Sequence, residues 1–244
     1  MGLKGKKIYY GWVIVAASSG IGFANAATAI GILTIFVTPM SQEFGWTRTE
    51  LAGATSLGAL LGAALAPISG RIVDKLGSRV LLTLGGLIVA VSCSYLAISQ
   101  TLIGFYVAFT LARIADQGLI KIGTAPAVGK WFSKFRGRAT GIIFFSESAG
   151  MTIMAPIVQL VIINYSWRTA WLMLGGGMLI VGAIPCAWLI RRQPEDIGLL
   201  PDGIQPDPET KHDGVQTIES NPSPNSDTPF HFILRSGSFW LIIV

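Results

Sequence analysis

Charge is what this sequence has least of. Only 13% of its 244 residues are Asp, Glu, Lys or Arg, about half the share carried by soluble globular domains. It has two cysteines and two histidines, which excludes a disulfide scaffold and leaves no Cys/His spacing for a metal. Cys93 and Cys186 both lie inside apolar stretches and read as small packing residues. No nucleophile elbow, phosphate-binding loop or other catalytic constellation is present. The sequence therefore predicts no enzyme, no cofactor and no metal site. What it has instead is 51% hydrophobic residues and 29 glycines. That composition excludes a disordered chain and points to an all-α, polytopic membrane protein.

A helix that crosses a bilayer needs about 20 mostly apolar residues. Six such stretches can be drawn, at 11–39, 50–70, 79–99, 102–128, 138–163 and 168–190. A seventh begins at Phe239, so 237–244 reads as its truncated start. The first stretch lacks a small-residue cleavage site and is too long for a secretory signal, so it reads as a retained helix. Residues 193–236 break the pattern, with seven prolines from Pro194 to Pro229 among Asp, Glu, Ser and Asn. They read as a solvated, largely disordered cytoplasmic linker carrying His212 and His231. The expected domains are thus a bundle over 1–192, a linker over 193–236 and the start of helix seven.

Twelve basic residues fall on one side of the spans (Lys4, Lys6, Lys7, Arg71, Lys75, Arg79, Lys130, Lys134, Arg136, Arg138, Arg191, Arg192). Arg48 and Arg168 fall on the other. The positive-inside rule then places the N terminus and the loop after span six in the cytoplasm; the expected location is a plasma (inner) membrane. The basic excess is accounted for by topology, and no nucleic acid is expected as a partner.

Between spans two and three lies Gly70-Arg71-Ile72-Val73-Asp74-Lys75-Leu76-Gly77-Ser78-Arg79, a tight basic turn whose cations suit anionic headgroups. Its order, Gly-x-x-x-Asp-x-x-Gly-x-Arg, resembles the signature loop of the major facilitator superfamily. Other segments resemble the oxalate/formate antiporter-like and monocarboxylate transporter branch of that superfamily. They are Tyr10-Gly11-Trp12, Lys130-Trp131-Phe132, Arg136-Gly137-Arg138-Ala139-Thr140-Gly141, Ser166-Trp167-Arg168 and the run from Arg191 to Gly203. The likeness covers about 9–203. It implies the N-terminal six-helix half of a twelve-helix secondary transporter, with a second six-helix half, or a partner chain supplying it, as its complement. It also implies a cytoplasmic gate in which Asp74, set by Gly70, Gly77 and Arg79, pairs with cations such as those around Lys130–Arg138; a helix cap for span three is the plainer alternative. Arg113 with Gln117-Gly118 is similar to the superfamily's Arg-x-x-Gln-Gly pattern at a spacing one residue longer. To that arginine the resemblance attaches a proton-coupling role.

Charges inside spans are costly and are functional candidates by default. Arg113, Asp116 and Lys121 lie in span four and Glu147 in span five. At 1.5 Å rise per residue, Arg113 lies roughly 16 Å below the outer end of its span and Glu147 roughly 13 Å above the inner end of its own. Both depths are near mid-bilayer, which predicts an Arg113–Glu147 ion pair. Asp116, three residues from Arg113, is placed to pair with it locally. Lys121 either snorkels to the cytoplasm or faces a cavity, and Asn25 is a weaker polar candidate of the same depth. Pro126 and Pro156, with Gly150 nearby, are candidate kinks. In span two, Ala54, Gly58, Gly62, Ala66 and Gly70 recur every fourth residue. They form either a sliding interface to another half or fixed packing within this one.

These readings converge on secondary active transport of a small organic anion, a monocarboxylate or dicarboxylate, by symport or antiport with a proton as candidate co-substrate. The alternative is a non-transporting, truncated membrane protein acting as a sensor or interaction partner.

Overall fold

The long apolar runs become six helices in the computed structural model, which describes residues 9–203. They are α1 (Gly11–Phe44), α2 (Arg48–Leu76), α3 (Ser78–Leu96), α4 (Leu102–Gly129), α5 (Arg136–Asn164) and α6 (Trp167–Leu189), each long and apolar enough to cross a membrane. Lys4, Lys6, Lys7, His212, His231, the linker from 204 onward and the start of a seventh helix lie outside the described residues.

Local chemistry sets the helix ends. Thr47 and Glu50 form a reciprocal capping box at the start of α2. The Ser166 hydroxyl accepts from the Thr169 N–H to open α6. α2 runs on to Leu76, six residues past its expected end, so the basic turn shrinks to Gly77. Gly77 has φ +82°, a left-handed backbone open to glycine. Gly70 is therefore helical and makes no turn; open space surrounds it.

Three helices depart from regular α geometry. α1 is interrupted at Asn25–Thr28 by a 3₁₀ turn, and Ala29 is extended (φ −67°, ψ 141°) before the helix resumes at Ile30. The Thr28 hydroxyl donates to the Asn25 carbonyl at 3.0 Å, local bonding that competes with the helical ladder. α4 widens into a π-helix over Ala115–Ile120 and α6 over Met178–Ala183. In α6, Pro185 lacks the N–H that would bond Val181, four residues back. The Val181 carbonyl faces α1 at Gly20, where an added Cβ would lie 2.6 Å from it. Pro126 and Pro156 lie inside continuous α segments.

α1 packs on α5 and α6, α2 on α4, and α3 between α4 and α6. Small residues set the closest approaches, as expected where lipid supplies no hydrophobic drive between helices. Gly58 abuts Arg113 of α4, and an added Cβ at Gly62 would lie 2.7 Å from the Gln117 Cβ. The Thr110 hydroxyl donates to the Ala54 carbonyl at 3.3 Å. The front of the span-two stripe is thus fixed packing within this bundle, and the sliding-interface reading does not hold for Ala54, Gly58 and Gly62. α5 is the least covered helix, with only Ala139, Ile143, Gly150 and Val158 buried.

The segment after α6 corrects the expected linker boundary. Residues 193–203 fold back as a strap, with short 3₁₀ turns at Pro194–Ile197 and Pro201–Gly203. The Tyr9 hydroxyl lies 2.9 Å from the Trp131 carbonyl and 3.1 Å from that of Leu200, sharing its proton between them. The Tyr10 hydroxyl donates to Leu189 at 2.9 Å. Asp202, at φ +59°, donates its own N–H to the Trp131 carbonyl at 3.0 Å. Its carboxylate accepts from the N–H groups of Ser133, Lys134 and Phe135 at 3.0, 2.6 and 3.4 Å. Desolvation opposes the charge, but those three N–H donors and the Lys134 ammonium hold the Asp202 carboxyl below the usual range. It stays anionic at neutral pH, and its contribution is lost only as pH falls through that lowered value. Composition pointed to a linker from 193 because Pro, Asp and Gly dominate there; the same residues here make turns that dock.

The α1–α5 contact gives a direct test of the packing. A Cβ at Gly150 would overlap the Phe23 backbone, whereas Gly141 has nothing within 4 Å. Gly150→Ala should cost about 1–3 kcal/mol through overpacking, and Gly141→Ala should be neutral or stabilising by up to ~1 kcal/mol. Thermal unfolding of the two variants in one detergent reads the difference; equal stability would show that α1 and α5 are not in this contact.

Candidate functional site

The interruption of α1 and the π-helix of α4 face each other, and the buried charges gather between them. Arg113, Asp116 and Asn25 are 7%, 2% and 6% exposed. The Arg113 guanidinium reaches Asp116 Oδ2 at 2.8 Å and donates to the Thr28 carbonyl at 3.1 Å. Asn25 Nδ2 donates to Asp116 Oδ1 at 2.6 Å, and Gln117 Nε2 donates to Oδ2 at 3.0 Å. Both carboxylate oxygens are therefore satisfied. The Arg113 Nε remains buried with no partner among the described residues. The wide turn over Ala115–Ile120 absorbs one extra residue, a common device at functional positions.

A second pair sits two turns further along α4. Lys121 Nζ lies 3.8 Å from Glu147 Oε1, and the two side chains are 45% and 40% exposed. That distance is an ion pair but too long for a hydrogen bond. The predicted Arg113–Glu147 pair is thus not formed. Arg113 is held toward α1 by Thr28 and by its near neighbour Asp116, and the charge that reaches α5 is Lys121. Nor does Lys121 snorkel; it faces the space between α1, α4 and α5.

That space holds two adjoining cavities, of about 480 and 360 Å³, which share Asn25, Lys121 and Glu147. The larger is mostly apolar, with Ile120, Val128, Ile143 and Phe144 beside Thr124 and Thr140. The smaller carries the larger polar share, with Arg113, Asp116, Gln117 and Ser148 set among Ala29, Ile30 and Met151. All five predicted intramembrane candidates line one or both. Thr28 was not singled out from sequence, and Gln117 entered only through the motif it shares with Arg113. The run Asn25-Ala26-Ala27-Thr28, polar at both ends inside an apolar span, was the available signal. Among the described residues no group of His, Cys, Asp and Glu is arranged to hold a metal.

The predicted gate loop is arranged differently from the expectation. The Asp74 side chain is exposed and makes no ion pair among the described residues. Its backbone carbonyl accepts from Arg192 at 3.4 Å. Gly77, not Asp74, occupies the cap position of α3, so the capping alternative fails too. The Lys134 backbone N–H donates to Asp202, and the Arg138 guanidinium lies over the Phe135 ring.

Burying one half of an ion pair alone is far costlier than losing both halves. Arg113→Met and Asp116→Leu should each lower stability by about 3–5 kcal/mol, and the double variant by clearly less than the sum. Strictly additive losses in a denaturant titration would rule out this pairing.

Comparison with known proteins agrees with this architecture. The profile of the Major Facilitator Superfamily matches residues 16–244. Monocarboxylate transporter 2 of Mus musculus is 30% identical over 171 residues, covering 68% of this chain and 34% of that protein. The Homo sapiens monocarboxylate transporter 2 is 29% identical over 186 residues, 75% of this chain and 37% of the relative. Monocarboxylate transporter 11 of Mus musculus is 25% identical over 188 residues, 75% and 40% respectively. The matched stretch spans about a third to two-fifths of the length of these relatives. With six apolar helices and a family match along nearly its whole length, this chain is an integral membrane protein that belongs to the Major Facilitator Superfamily.

Proposed function

We propose that this six-helix unit, completed by a second one, moves a small organic anion across the bilayer by alternating access. The N terminus lies in the cytoplasm and the chain in a plasma (inner) membrane. The observation that carries the reading is the contrast between the two ion pairs. Arg113–Asp116 is buried and fully engaged, whereas Lys121–Glu147 is long, half-exposed and shared by both cavities.

A substrate carboxylate is a better partner for Lys121 than Glu147 at 3.8 Å, because a charge-assisted contact shortens to about 2.7–2.9 Å. It displaces Glu147. Two anions beside one ammonium repel, and a proton carried with the substrate returns the site to neutrality. Substrate and proton then load and leave together, which makes the cycle a symport driven by their gradients. The apolar wall at Ile143 and Phe144 suits the hydrocarbon part of a monocarboxylate; a dicarboxylate would leave its second charge there unpaired. The names of the relatives, monocarboxylate transporters, agree in substrate class. Within this cycle Arg113, Asp116 and Asn25 hold the α1 interruption in place rather than carry substrate.

Uptake of labelled short monocarboxylates by the complete transporter tests this. Lys121→Gln should raise KM by at least roughly tenfold, the equivalent of about 1.4 kcal/mol. Glu147→Gln should keep substrate exchange while losing acceleration by an inward proton gradient. Unchanged uptake by Lys121→Gln would refute the role given to the pair.

A further inference from the structure

At the basic end of the bundle, α2, α3 and the chain after α6 meet in a groove that the proposed transport cycle does not use. It measures about 420 Å³ and is lined by Arg79, Arg191, Arg192 and Asp196, with Leu76, Val80, Ile190 and Ile197 as apolar wall. Three guanidiniums against one carboxylate leave an excess of two positive charges. Among the described residues none of the three arginines lies within 4 Å of a carboxylate oxygen. Arg192 makes only the long contact to the Asp74 carbonyl.

Two features separate this groove from an ordinary solvated basic surface. It is assembled from segments more than a hundred residues apart, and the Gly77 turn packs on the Arg192 stem, where an added Cβ would lie 3.1 Å from Cγ. Its charge also adjoins exposed hydrocarbon. Leu76 and Ile197 are exposed, and Trp188, three residues before Arg191 in the chain, is more so. A tryptophan at the end of a span sits at headgroup level. Guanidinium forks match phosphate oxygens in pairs, and basic pockets between membrane helices take phospholipid headgroups.

We propose that this groove binds the phosphate of an anionic phospholipid in the leaflet at the basic end of the bundle, with the acyl chains against Leu76, Val80 and Ile197. A free phosphate shares the headgroup chemistry but has nothing to place on the apolar wall.

The full chain, purified and reconstituted in phosphatidylcholine with or without phosphatidylglycerol, provides the test. Native mass spectrometry should show one phosphatidylglycerol retained, and thermal unfolding should shift upward with that lipid. Inorganic phosphate should give no shift. Arg79→Gln, Arg191→Gln and Arg192→Gln should each lower retention by roughly fivefold, the factor corresponding to about 1 kcal/mol per basic residue at a membrane surface. The combined variant Arg71→Gln/Lys75→Gln/Arg138→Gln, which removes three charges from the same end outside the groove, should keep the lipid. Equal loss in that control would overturn the site in favour of general surface charge. A shift with inorganic phosphate as large as with the lipid would overturn the lipid assignment. Single arginine variants that fold and retain the lipid undiminished would overturn both.

Discussion

Hydrocarbon offers no hydrogen bonds, so any backbone group freed from a helix at membrane depth must find its partner in the protein or in a cavity. The interruption of α1 at Asn25–Thr28 creates such groups; the Thr28 hydroxyl answers the Asn25 carbonyl, and an arginine answers that of Thr28. Arg113 spans from α4 to the Thr28 carbonyl while Asp116 neutralises it and Asn25 ties the carboxylate back to α1. Removing any member leaves a buried charge or a buried amide unsatisfied. Gly58 belongs to the same constraint, since only a residue without a side chain admits the Arg113 stem against α2.

This arrangement divides the intramembrane charges by cost. A buried pair whose hydrogen bonds are satisfied is expensive to disturb and suits a fixed joint. A half-exposed pair at 3.8 Å gains little from its own attraction and exchanges partners readily. Arg113 and Lys121 lie on one helix, before and after the widened turn over Ala115–Ile120. Asp116 meets α1 through Asn25, while Lys121 meets Glu147 of α5 across the cavity. The strap 193–203 plays a comparable fixing role at the basic end, where Asp202 binds the segment between α4 and α5 through backbone donors.

Much of the frame was legible in the sequence. Six spans, their order and the all-α class follow from apolar runs of bilayer length, and the charged residues inside them did mark the cavity. What could not be read depends on geometry that periodicity does not encode. Arg113 and Glu147 share a depth but not a face, because depth arithmetic fixes height along the bundle and leaves rotation open. The α1 interruption hides within a run whose mean hydropathy is unbroken. The turn at 70–79 was read from composition as loop, yet helix continued through charged residues to Leu76, since Arg71, Asp74 and Lys75 are acceptable on a helix that reaches the interface. The strap was missed for the converse reason: its prolines and acids describe turns as well as they describe disorder.

The most direct test of the central claim is whether the cleft between α1, α4 and α5 holds water. Ser148 lines the smaller of its two cavities, whereas Val91 is exposed on α3; the native Cys93 and Cys186 are buried and provide an unreactive background. In reconstituted protein, Ser148→Cys should react with a membrane-impermeant thiol reagent and be slowed by a saturating monocarboxylate, while Val91→Cys stays unmodified. A Ser148→Cys thiol as unreactive as Val91→Cys would mean that lipid or protein fills the cleft, and Lys121 and Glu147 could not then exchange partners with a substrate from water.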